Sequence, residues 1–159
     1  MSVGYQEFLA RKRREVERDG IEVAADDLHR GLFDWQRRIV SWALNVGRAA
    51  IWADTGLGKT RMQVEWARTI AAGDRALIVA PLAVCAQTVR EAAKIGVHAV
   101  YARSDAEARG PGVWVANYER VSGFDPAGMT AVVLDEASIL KQSNGKTRNL
   151  LVEWFRPVP

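Results

Sequence analysis

The segment Ala53-Asp54-Thr55-Gly56-Leu57-Gly58-Lys59-Thr60 constrains this chain more than any other. It follows the apolar run Ala49-Ala50-Ile51-Trp52, which predicts a buried strand over 49–53. After it, Met62, Trp66 and Ile70 recur at four-residue spacing and predict a helix over 61–72. Strand, glycine-bearing loop and helix in that order make a cradle for phosphate. Gly56 and Gly58 admit backbone conformations closed to residues with a Cβ, so successive N–H groups can turn toward one anion. The helix that opens near Lys59 adds the positive end of its dipole. Lys59 is placed to reach the outer phosphates of a triphosphate, and the Thr60 hydroxyl to ligate Mg²⁺. The first position of the G-x-x-x-x-G-K-[ST] pattern is Ala53 rather than glycine. The alternative for this segment alone is a tight strand-to-helix turn that binds nothing.

A phosphate loop of this kind requires a carboxylate on the metal side. Ala131-Val132-Val133-Leu134 reads as a strand buried on both faces, and it ends in Asp135-Glu136-Ala137-Ser138. Two adjacent acids where a buried strand emerges are costly unless a cation or hydrogen bonds balance them. In a parallel α/β sheet the carboxyl ends of the strands are also where ligands bind. Asp135 is therefore the candidate Mg²⁺ organiser, acting through water, and Glu136 the candidate base for an attacking water. Two solvated acids opening a loop are the bland alternative.

Strand and helix patterns alternate along the chain. Strands are predicted at 49–53, 76–80, 97–101, 113–116 and 131–134, and helices at 61–72, 86–94 and 147–155. Ahead of the loop, Ile39, Val40, Ala43 and Leu44 form one apolar stripe of an amphipathic helix. Such alternation implies a mostly parallel sheet with helices on both faces. The organisation expected is a basic helical extension over 1–30 and an α/β nucleotide-binding domain over 31–159. With 48% hydrophobic and 26% charged residues, the 159-residue chain has the balance of a soluble globule, and no apolar run approaches a membrane span. A single cysteine, Cys85, excludes an internal disulfide and fits the cytoplasm. His29 and His98 stand apart from any ligand cluster, so no metal beyond Mg²⁺ is expected. The six tryptophans are read chiefly as core packing. A net charge of +3 permits nucleic-acid binding, with Arg11-Lys12-Arg13-Arg14 the densest basic cluster. The favoured reading of that cluster is a solvated helix face pairing with Glu15 and Glu17, with a phosphate-neutralising tail as the alternative.

Taken in order, Ala53–Thr60 and Leu134-Asp135-Glu136-Ala137-Ser138 resemble the signature motifs of superfamily-two helicases and translocases, in the remodeller-like branch of phage and prophage type. Four further segments carry the resemblance. Leu32-Phe33-Asp34-Trp35-Gln36 looks like the adenine-recognising Q motif. Ala80-Pro81-Leu82 and Ala116-Asn117-Tyr118-Glu119-Arg120 look like motifs that grip a nucleic-acid backbone. Lys141 sits where related proteins carry a short basic loop.

The resemblance implies a RecA-like first motor domain that binds ATP and Mg²⁺ and works on DNA, with RNA left open. It implies that Gln36 contacts adenine, with Phe33 or Trp35 nearby. Asp54, Thr55, Gly56, Leu57, Gly58, Lys59 and Thr60 then surround the phosphates, while Asp135 and Glu136 carry the metal and the water. Pro81, Leu82, Gln87 (expected at a helix start), Asn117 and Tyr118 are candidates for backbone contact, with a plain strand-to-helix turn as the alternative for both segments. Family members continue past this helix into a strand with a Ser/Thr-Ala-Thr motif and then a second motor domain bearing arginine fingers. A second domain or downstream chain is therefore expected, and without it turnover should fall by about 10³–10⁵. Two other classes remain: a nucleotidase acting on a small molecule, and a nucleotide-binding module without turnover.

Overall fold

The computed structural model describes residues 18–138 and 145–154. Four strands, β1 (Arg75–Ala80), β2 (Ala99–Tyr101), β3 (Gly112–Asn117) and β4 (Ala131–Leu134), form one parallel sheet in the order β2-β3-β1-β4. β1 lies between β3 and β4, with Leu77 opposite Trp114 on one side and Val132 on the other. Ala76 to Ala80 are all buried, because helices cover both faces of this strand. The α-helices among the described residues are α1 (Asp34–Val46), α2 (Lys59–Ile70), α3 (Leu82–Lys94) and α4 (Lys146–Trp154).

The pleat of β1 divides the core in two. Ala76, Ile78 and Ala80 face a cluster built with Val40 and Leu44 of α1, Met62 and Val64 of α2, and Cys85 and Ala92 of α3. Leu77 and Val79 face the other side, where Ala116, Tyr118, Phe124 and Leu151 of α4 gather. The expected parallel α/β architecture is present, and the stripe Val40, Ala43 and Leu44 is buried as its period requires.

Several local expectations are corrected. Residues 49–53 form no strand, and Trp52 is 89% exposed. Ile51 and Ala53 pack on the core while Trp52 points away, the alternation of a strand. Among the described residues this segment pairs with no strand. The helix expected at 86–94 begins at Leu82, directly after Pro81, which occupies the N-cap where no helical N–H is needed. Gln87 is thus in the second turn rather than at a helix start.

Three of the tryptophans read as packing are exposed. Besides Trp52, Trp35 and Trp42 lie on the outer side of α1, since their seven-position spacing, about two helical turns, brings both round to the face opposite Val40 and Leu44. Within the described part of the expected extension, residues 18–30 contain one 3₁₀ turn, Ala25–Asp27, and no α-helix. This segment is held against α1 instead: the Ile21 N–H donates to the Leu44 carbonyl and the Ser41 hydroxyl to the Val23 carbonyl. Arg11-Lys12-Arg13-Arg14 and Lys141 lie outside the described residues.

Candidate active site

The loop at 54–58 leads straight into α2, whose N-cap is Gly58 in the left-handed region at φ +72°. A β-carbon on Gly58 would lie 2.5 Å from the Gln36 amide nitrogen, so the position needs glycine for space as well as for backbone angle. Gly56 also has positive φ, at +82°, but its surroundings are open. The Asp54 carboxylate accepts the Thr55 N–H at 2.7 Å, and the Asp54 carbonyl accepts the Leu57 N–H, which closes the turn. Lys59 folds its ammonium back over the loop to the carbonyls of Ala53 at 2.8 Å and Asp54 at 3.3 Å. Both are neutral acceptors that an incoming anion can replace with stronger, charge-assisted contacts.

Gln36 is 3% exposed and works as a tie. Its oxygen accepts the Phe33 N–H at 2.9 Å, satisfying the start of α1. Its nitrogen donates to the Leu57 carbonyl at 2.9 Å, fastening the loop to α1. An amide offers two N–H groups and two lone pairs, so one of each remains. Phe33 and Leu57 flank this residue with exposed side chains.

Asp135 follows β4 and is 5% exposed. Its N–H continues the ladder to the Val79 carbonyl at 2.8 Å. Its Oδ1 accepts two hydrogen bonds, from the Gln63 amide at 2.7 Å and from the Glu136 N–H at 3.0 Å. Gln63 lies one turn beyond Thr60 on α2, and residues three apart share a helix face. The two motifs are thereby brought to one end of the sheet. Glu136 is exposed and adopts φ +50°, a left-handed conformation uncommon for a side-chain-bearing residue.

Among the described residues no group of three or more His, Cys, Asp and Glu converges as a metal cage. One carboxylate and one hydroxyl, Asp135 and Thr60, suit a hard ion that keeps most of its water and takes phosphate oxygens as further ligands. That is the donor set expected for Mg²⁺ with a nucleotide.

The nucleic-acid candidates divide into two kinds. Leu82 is 63% exposed at the start of α3, Gln87 is exposed, and Pro81 is half-buried. Asn117 and Tyr118 are buried and engaged internally. Asn117 accepts from the Tyr101 hydroxyl at 2.6 Å and donates to Glu119. Tyr118 donates to the Asp135 carbonyl. Burial, followed by the nearby charges of Asp135 and Glu136, pushes the Tyr118 hydroxyl well above the ordinary tyrosine pKa. A separate cleft of about 240 Å³, lined by Asp74, His98 and Gly112 among others, opens at the opposite, amino-terminal end of the strands.

Two residues that sequence reasoning passed over belong to this region. Gln63 is one. Glu65 is the other: fully buried in α2, it accepts the His29 N–H at 2.7 Å and pairs with Arg68 at 2.6 Å, fixing the segment before Gln36 to the helix after the loop.

No family model matches the chain, and no curated protein does. Among solved structures it is similar to the UvsW helicase from bacteriophage T4, with a TM-score of 0.67 at 14% identity. The alignment covers 96% of this chain and 66% of that one, so the chain spans just under two thirds of the helicase's length. The likeness is one of fold: this is a helicase-like parallel α/β domain.

Proposed function

We propose that the chain is the first, ATP-binding motor domain of a superfamily-two DNA helicase or translocase. The observation that carries this reading is the 2.7 Å hydrogen bond from Gln63 to Asp135. It joins the helix of the phosphate loop to the acid of the DExx motif, although they lie far apart in sequence. A loop or an acid alone has a bland explanation; the two held together at the carboxyl end of a parallel sheet make an arrangement for a metal–nucleotide complex.

In this reading the backbone from Thr55 to Thr60 and the Lys59 ammonium neutralise the phosphates. Thr60 and Asp135 hold Mg²⁺, which when bound withdraws charge from the phosphoryl oxygens. Glu136, exposed beside Asp135, accepts the proton of the attacking water. Gln36 uses its remaining donor and acceptor on adenine, with Phe33 and Leu57 along the base. Pro81, Leu82 and Gln87 offer a surface to the nucleic-acid backbone. Asn117 and Tyr118, being buried, shape the neighbouring loop from behind. A second motor domain, in the same or a separate polypeptide, supplies the arginine finger. The setting is the cytoplasm of a bacterial or phage-infected cell, where ATP and DNA meet.

The test is ATP turnover with and without single-stranded DNA or RNA, by the chain alone and by the chain joined to a complete second motor domain. Stimulation by nucleic acid in the joined protein, lost in Lys59→Ala, is the expected result. Turnover indifferent to nucleic acid would contradict the motor reading.

A further inference from the structure

Gln63 has an asymmetry that its hydrogen bond alone does not explain. A carboxylate only accepts, so the group it meets at 2.7 Å must be the amide nitrogen. The amide oxygen therefore faces away, and it is buried with no partner among the described residues. Buried acceptors are nearly always satisfied, so an orphan beside a functional acid calls for an explanation. The acid is asymmetric too: Oδ1 takes both the Gln63 amide and the Glu136 N–H, while Oδ2 takes no hydrogen bond among the described residues.

We propose that Gln63 is a positioning residue for the metal. By loading Oδ1, it and the Glu136 N–H fix the rotation of the Asp135 carboxylate and leave Oδ2 as the oxygen offered to a divalent cation. The free Gln63 oxygen is the acceptor for a water carried in by the hydrated ion. A carboxylate left to rotate would present either oxygen, and partners behind a ligand act by removing that freedom. This rests on the reading of Asp135 as the metal organiser and adds a residue, four positions past Lys59, to that machinery.

The test is calorimetric titration with ADP in excess Mg²⁺ and again in chelator, for wild type, Gln63→Met, Gln63→Glu and Asp135→Asn. Methionine keeps the length of the side chain without donor or acceptor; glutamate keeps an acceptor but sets a like charge against Asp135. The expected result is that the Mg²⁺-dependent gain in ADP affinity falls about 10–100-fold in both Gln63 variants while metal-free affinity holds. A structural role alone would lower affinity with and without metal alike, and that outcome overturns the proposal. So does a full Mg²⁺-dependent gain in both Gln63 variants when Asp135→Asn has lost it, a result that leaves the Asp135 reading standing. Absence of any Mg²⁺-dependent gain in wild type would remove the Asp135 assignment and the proposal with it.

Discussion

The Tyr118 hydroxyl donates to the Asp135 carbonyl at 2.6 Å in the protein interior. Tyr118 follows β3 and Asp135 follows β4, with β1 between them, so this bond spans the carboxyl end of the central strand. It ties the expected nucleic-acid motif to the acid expected to organise the metal.

Burial of that hydroxyl, with the charges of Asp135 and Glu136 nearby, gives stability a dependence on alkaline pH. The folded-state pKa of Tyr118 is raised from the ordinary value of 10.0. The folded protein therefore keeps a proton that the unfolded chain releases. The stability it contributes is complete below that ordinary value and is lost as pH rises past it toward the folded pKa. Tyr118→Phe should cost about 1 kcal/mol at neutral pH and flatten the fall in melting temperature above about pH 10. Thermal unfolding of both proteins across this range checks it; parallel curves would contradict it.

The two acids should separate kinetically. In the proposed motor, tested as the chain joined to a second motor domain, Glu136→Gln is expected to keep Mg²⁺ and ATP binding and to abolish turnover. Asp135→Asn should weaken metal-dependent binding as well, because a metal ligand acts in the ground state and a base acts at the chemical step. Steady-state ATPase rates alongside binding titrations distinguish them, and near-normal turnover in Glu136→Gln would reassign the base.

The two loop glycines should differ in cost. Gly56→Ala meets open space and carries only the backbone strain of positive φ, about 1–2 kcal/mol. Gly58→Ala carries the same strain and also displaces the Gln36 amide, so it should lose about 1 kcal/mol more. Urea unfolding of the two variants measures the difference; equal losses would mean that Gln36 yields without cost.

Purine choice tests Gln36. Adenine offers a donor at N6 and an acceptor at N7, matching the amide, whereas guanine places an acceptor at O6. ATP should be preferred over GTP by about 1–3 kcal/mol, and Gln36→Ala should reduce that preference. Competition binding reports the ratio, and an unchanged ratio would leave Gln36 as a tie between α1 and the loop and nothing more.

The glycine-bearing turn that leads into α2 and the place of Asp135-Glu136 after β4 were legible because each is a local pattern: glycines where φ is positive, and acids at the end of an unbroken apolar strand. The parallel sheet followed from strands alternating with helical periods. What escaped depended on contacts distant in sequence. Gln63 looks like any polar residue on a helix until Asp135 is folded against it. Glu65 reads as a surface acid, yet it is buried because His29 and Arg68 supply its donors. Residues 49–53 have the composition of a strand, but pairing needs a neighbour that composition does not specify. Pro81 reads as a break, where the fold uses it to start α3. Asn117 and Tyr118 were candidates for nucleic-acid backbone contact; Tyr101, Glu119 and Asp135 engage them in the interior.

The most direct measurement is calorimetric titration of Mg-ATP or Mg-ADP into wild type and Lys59→Ala. Among the described residues Lys59 bonds only to the backbone carbonyls of Ala53 and Asp54, so its removal should disturb the fold little. The loss of a charge-assisted phosphate contact should nonetheless weaken binding by about 1.5–3 kcal/mol, roughly ten- to a hundredfold. Weak binding by wild type that largely disappears in Lys59→Ala is the predicted result; equal affinity in the two proteins would contradict the assignment of this loop to phosphate.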